Sequence, residues 1–118
     1  MILLCVLALG AQAADVGGRW VAQIPGRGGN TMETTFDFKV SGEKLTGTMA
    51  NQYGEREISD GKVSGEDISF TVRIDMGGDQ VIFLYVGKVS GNEIKFTRER
   101  KGGDFGPAKV EFVAKRKT

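Results

Sequence analysis

Beyond residue 13, apolar and polar residues alternate with the two-residue period of half-buried strands, and no segment carries a helical period. The cleanest stretch is Asp67–Asp75, where Ile68, Phe70, Val72 and Ile74 alternate with Ser69, Thr71, Arg73 and Asp75. Seven more stretches read the same way. The first, near Arg19–Ile24, puts Trp20, Ala22 and Ile24 on one face. The second, Met32–Val40, aligns Thr34, Phe36, Phe38 and Val40, and the third, Lys44–Ala50, aligns Leu45, Gly47 and Met49. The fourth, Glu55–Val63, has the weakest alternation, with Asp60-Gly61 marked as a bulge. Asp67–Asp75 is the fifth. The sixth, Gln80–Val89, carries Val81, Phe83, Tyr85, Gly87 and Val89 together. The seventh, Glu93–Arg100, aligns Ile94, Phe96 and Arg98, and the eighth, Ala108–Arg116, aligns Val110, Phe112 and Ala114.

Three of the links repeat. Lys39-Val40-Ser41-Gly42, Lys62-Val63-Ser64-Gly65 and Lys88-Val89-Ser90-Gly91 start 23 and 26 residues apart, each leading into a further alternating strand. Each reads as a hairpin with glycine at a position of positive φ. Eight short strands joined this way predict an all-β domain, an eight-stranded antiparallel up-and-down barrel, with a two-sheet sandwich as the alternative. Closure favours the barrel because it leaves no unpaired edge.

Up-and-down order labels the two ends. The Ser-Gly turns share one end, so the longer, dissimilar links share the other, and binding residues concentrate in such loops. Arg27, Asn30, Asn51, Tyr53, Asp75, Asp79, Lys101 and Phe105 are the candidate ligand-binding residues of that rim. Arg98 joins them. It follows Ile94 and Phe96 on the inward face, and a buried charge needs a partner or a ligand anion; the expected resolution is that the strand ends or bulges there and Arg98 reaches the rim. Six of the seven phenylalanines, with Trp20 and Tyr85, point inward. That predicts a filled interior with at most a shallow rim site, whereas a cavity above about 300 Å³ would mark a ligand barrel.

Composition narrows the chemistry. Ile2–Leu9 is an apolar run followed by Ala11-Gln12-Ala13, which reads as a signal peptide over 1–13 with a single domain over 14–118, exported to the periplasm or beyond the cell. Cleavage there removes Cys5, the only cysteine, and the chain has no histidine. Thiol nucleophiles, Cys/His metal sites and Ser-His-Asp triads are thereby excluded, and the expectation is a protein that is not an enzyme and needs no cofactor or metal. Asp75 and Asp79 fall short of a calcium shell, and Glu55, Glu57 and Asp60 read as solvated charges. Sixteen basic against fifteen acidic residues leave a net charge of +1, too little for a phosphate-tracking surface, so nucleic acid is not expected, and the Ile2–Leu9 run is too short for a membrane span.

Gly18-Arg19-Trp20 opens the first strand, and Gly-x-Trp at that place resembles the calycin barrels: lipocalins, fatty-acid-binding proteins and avidins. The resemblance implies that Trp20 closes one barrel end and that Arg116, from the last strand, packs across it. Leu45-Thr46-Gly47-Thr48 is similar to the second hairpin of avidins, but their biotin site uses several later tryptophans and this chain has only Trp20. The whole pattern also resembles small exported bacterial β-repeat proteins, which implies no activity.

The sixth strand is apolar on both faces. Ile82, Leu84 and Val86 would face outward from a barrel and suggest an interface with a partner protein or a second copy. Two functions therefore stand: a module binding a small molecule at the rim, and an interaction module using that outer face.

Overall fold

The computed structural model describes residues 15–26, 29–101 and 108–117; the segment read as a signal peptide lies outside the described residues, as do Arg27, Phe105 and the side chain of Asp79. The described chain is all-β: β1 (Gly18–Pro25), β2 (Thr31–Ser41), β3 (Lys44–Asn51), β4 (Gly54–Glu57), β5 (Ser59–Ser64), β6 (Asp67–Met76), β7 (Asp79–Ser90), β8 (Glu93–Lys101) and β9 (Lys109–Arg116). Every neighbour pair is antiparallel, and β1 pairs with both β2 and β9. The ring continues through β3, β5, β6, β7 and β8, so eight strands close into a barrel and β4 stands beside β3 outside that ring.

The repeat explains the regularity of one end. Ser41↔Lys44, Ser64↔Asp67 and Ser90↔Glu93 are the last paired residues of their hairpins. Two residues remain in each turn, led by Gly42, Gly65 and Gly91 at φ 63°, 61° and 61°. Glycine first, with only that residue at positive φ, is the type II′ turn that matches strand twist. The residue after each glycine then links to the next part of the barrel. Glu43 O accepts from Val63 N, Glu66 O from Val89 N, and Asn92 O from Arg116 N, at 2.8–2.9 Å. The hairpin at Gly77-Gly78 has both residues at positive φ instead.

The fourth predicted strand is two. β4 pairs only with β3, and Ile58 turns inward between β4 and β5. The register against β6 then slips between Ser59 and Lys62, with Asp60 at φ 52°. This is the bulge marked by Asp60-Gly61. Arg73 Nη2 reaches Asp60 Oδ2 at 3.4 Å, which pins the slip from the neighbouring strand.

The interior follows the alternation closely. Phe36 has the rings of Phe38, Phe70, Tyr85 and Phe96 around it at 5.6–6.0 Å, and Phe70 stacks on Tyr85 at 4.8 Å. Phe112 stacks on Phe96 at 5.2 Å. An eight-stranded barrel is barely wider than its side chains, and this cluster occupies its middle. At the Ser-Gly end, Trp20 is fully buried and its indole N–H donates to Val16 O at 3.0 Å. The Arg116 guanidinium lies 4.3 Å over the Trp20 ring and donates from Nη1 to Gly17 O and from Nη2 to Asp15 O.

Candidate functional site

Trp20 fills one end and rings cross the middle, and among the described residues open space lies at the opposite mouth. A pocket of about 170 Å³ lies there. Its walls are the inward positions nearest the dissimilar loops: Ile24 on β1, Met32 and Thr34 on β2, Met49 and Asn51 on β3, Ile74 on β6, and Phe83 and Tyr85 on β7. Tyr53, Arg56 and Arg98 complete the lining. Most of that surface is apolar, and among the described residues two arginines and no carboxylate contribute to it. This volume is below the about 300 Å³ that would mark a hollow ligand barrel.

Arg98 corrects the sequence reading. β8 neither ends nor bulges at this residue: its pairing with β7 runs in one unbroken register from Ser90↔Glu93 to Ile82↔Lys101. Arg98 therefore faces inward, directly across from Tyr85. The cost of its charge falls because the position is near the mouth and the side chain is only half-buried. Its guanidinium carbon lies 4.8 Å from the centroid of the Phe83 ring, a cation–π contact that holds the head in place. The Nε atom is buried and has no hydrogen-bond partner among the described residues.

Tyr85 forms the floor beside it. Its hydroxyl donates to Met49 Sδ at 3.4 Å. Burial pushes the phenol above its ordinary value of 10.0, and the charge and hydrogen bonding of Arg98 oppose that rise. The group is a neutral donor at physiological pH.

Of the other rim residues, Asn51 and Tyr53 line the pocket. Asn51 Oδ1 accepts from the Tyr53 N–H at 2.8 Å, which fixes the turn, while the Tyr53 side chain is 72% exposed at the lip. Asn30, Asp75 and Lys101 are exposed at the same end but do not line the pocket. Arg27 and Phe105 lie outside the described residues, as does the side chain of Asp79. Glu55 and Glu57 are both exposed on β4. Among the described residues no group of three or more acids or thiols stands close enough to hold a metal ion.

Met32, Met49, Ile74, Phe83 and Arg56 were not singled out for the site. The signal for all but Arg56 was present as inward parity, which marks a residue as core without saying at which level of the barrel it sits.

The outer face of β7 is less open than its composition implies. Only Val86 is largely exposed, at 46%. Leu84 sits in register between Thr71 and Glu99, and Ile82 between Arg73 and Lys101, and both are half-buried. Among the described residues Val113 on β9 is the other large exposed aliphatic side chain, at 39%.

The chain matches no family model, no curated protein and no solved structure. The architecture itself is compatible with the calycin barrels: a closed, antiparallel, eight-stranded ring with Trp20 and Arg116 stacked at one end.

Proposed function

We propose that the protein is an exported, calycin-like binding module that takes a small molecule in the mouth of its barrel and performs no catalysis. The carrying observation is the mouth pocket itself, apolar-walled, with two arginines and no acid among the described residues of its lining. Export rests on the Ile2–Leu9 run and Ala11-Gln12-Ala13. The non-catalytic reading rests on the absence of histidine from the chain and of any described carboxylate from the pocket lining.

Size sets the ligand. A dry cavity of roughly 150 Å³ takes a benzene-sized molecule, and a ligand of about ten non-hydrogen atoms at about 0.5 kcal/mol each binds on the order of 0.1–1 mM. Titration of the ¹⁵N-labelled protein with a panel of such fragments tests the reading. Shifts should concentrate at Met49, Asn51, Ile74, Phe83 and Arg98, around the mouth. A panel that shifts none of these amides up to its solubility limit defeats the proposal.

Val86 and Val113 favour a second reading, association through the outer faces of β7 and β9. It predicts a sedimentation coefficient that rises with protein concentration, independently of any fragment.

A further inference from the structure

We infer that Arg98 is the anion-receiving group of the mouth pocket and that the ligand is a compact monocarboxylate: an apolar body of benzene size with one planar anionic head. The inference rests on the mouth-binding reading above and narrows its ligand class.

Position comes first. The unbroken β7–β8 register holds Arg98 on the inner wall, opposite Tyr85 and three residues short of the end of β8. Orientation follows, because the Phe83 ring 4.8 Å from the guanidinium carbon supports one face of the head. A guanidinium stacked by one face carries its N–H groups on the edges; some hydrogen-bond Tyr85, and such edges pair with the two oxygens of a carboxylate.

One of those donors lacks an acceptor. Arg98 Nε is buried and unpaired among the described residues. Leaving a buried donor unsatisfied costs about 1–3 kcal/mol, more when it is charged. A carboxylate at the mouth would satisfy it once the guanidinium turns its Nε edge toward the pocket, the adjoining Nη taking the second oxygen. Among the described residues the walls supply no such group, since their lining contains Arg56 and Arg98 but no Asp or Glu. Two cations without an acid attract a single anion and repel a cationic ligand.

The body of the ligand is bounded from below. Phe36, Phe70, Tyr85 and Phe96 close the barrel under the pocket, with every ring pair among the four no more than 6.2 Å apart. A long alkyl chain cannot thread past them into the interior. The Tyr85 proton is engaged by Met49 Sδ, so the phenol's oxygen, not its proton, is turned to the cation.

The test compares benzoate, its neutral analogue benzyl alcohol and the longer decanoate by calorimetry and amide shifts at neutral pH. Benzoate should bind at least about tenfold more tightly than benzyl alcohol, the scale of one charge-assisted hydrogen bond, and more tightly than decanoate. Arg98→Met keeps the length and apolar stem of the side chain. In that variant, with a dispersed folded amide spectrum as the control, the preference for benzoate over benzyl alcohol should collapse to about one. If benzyl alcohol binds wild type as tightly as benzoate, or R98M keeps the preference, the anion assignment is wrong while the mouth site stands. Decanoate binding more tightly than benzoate overturns the compact-ligand limit. If none of the three reaches the mouth, this inference falls together with the reading beneath it.

Discussion

Of the two tyrosines, Tyr53 stands in solvent and Tyr85 is buried with its ring stacked on Phe70. The contrast makes Tyr85 a reporter of the folded state at alkaline pH. Burial holds its phenol above the ordinary 10.0, with Arg98 pulling the other way. As pH climbs, the unfolded chain gives up this proton first, so the unfolded state gains stability that the folded state does not. The contribution of Tyr85 is complete below about pH 10 and is lost as the pH rises from there through the folded value. Tyr85→Phe removes that titration. Urea midpoints followed from about pH 8 to about pH 11 should fall more steeply in wild type than in Y85F; equal alkaline slopes would contradict the assignment. The neighbouring Arg98 shows how far residue-level reading of the sequence reached. Parity on the seventh predicted strand put it inward, which is where it lies. Parity does not say how far a residue stands from the mouth, and that distance decides whether an inward arginine is tolerated. The same limit hid Met32, Met49 and Ile74, which alternation ranks as core alongside Phe36 and Phe70.

At the level of elements, β4 is the exception in an otherwise regular ring. It is four residues long, pairs on one side only, and is followed by Ile58 and the slip at Asp60. The strands of the closed ring are paired on both sides, and β7 and β8 share nine residue pairs. Stability in a folded protein is local as well as global. Hydrogen exchange measured by NMR should therefore find the Arg56 and Glu57 amides at least about a hundredfold less protected than those at the centre of β7. Equal protection would mean that β4 is held by contacts other than its single ladder. The weak alternation of Glu55–Val63 already separated this segment from the other seven, and Asp60-Gly61 located the bulge. What alternation did not carry was the division into two strands, because Arg56 on β4 and Ile58 at the break keep the same parity. The three Ser-Gly hairpins were legible in full. A type II′ turn has one preferred residue at its first position, and the chain spells it out three times.

For the molecule as a whole, closure depends on a seam between the first strand and the last. β1 and β9 share three residue pairs, Trp20↔Arg116, Val21↔Lys115 and Ala22↔Ala114, fewer than either strand makes with its other neighbour. Arg116 reinforces the seam by lying over Trp20 and donating to Gly17 O, Asp15 O and Asn92 Oδ1. A cation–π contact contributes about 0.5–2 kcal/mol and charged hydrogen bonds about 1.5–3, less where water can replace them. Arg116→Met should cost about 2 kcal/mol and lower the melting temperature by roughly 8–16 °C, with Arg116→Lys in between. A thermal melt in which R116M unfolds within a degree or so of wild type would show that the strand ladder alone holds the seam. Such closing contacts, 99 and 101 residues apart in sequence, are invisible to any local pattern; it was the Gly-x-Trp resemblance that paired these two residues.

The seam also fixes where the chain enters and leaves the barrel. Asp15 is bound to Arg116, and Lys117 N donates to Arg19 O at 2.9 Å, so both lie at the Trp20 end. The pocket opens at the other end. A bead, a surface or a second domain joined through either terminus would hold the barrel by its closed base, with the mouth turned outward and its approach from solvent unobstructed.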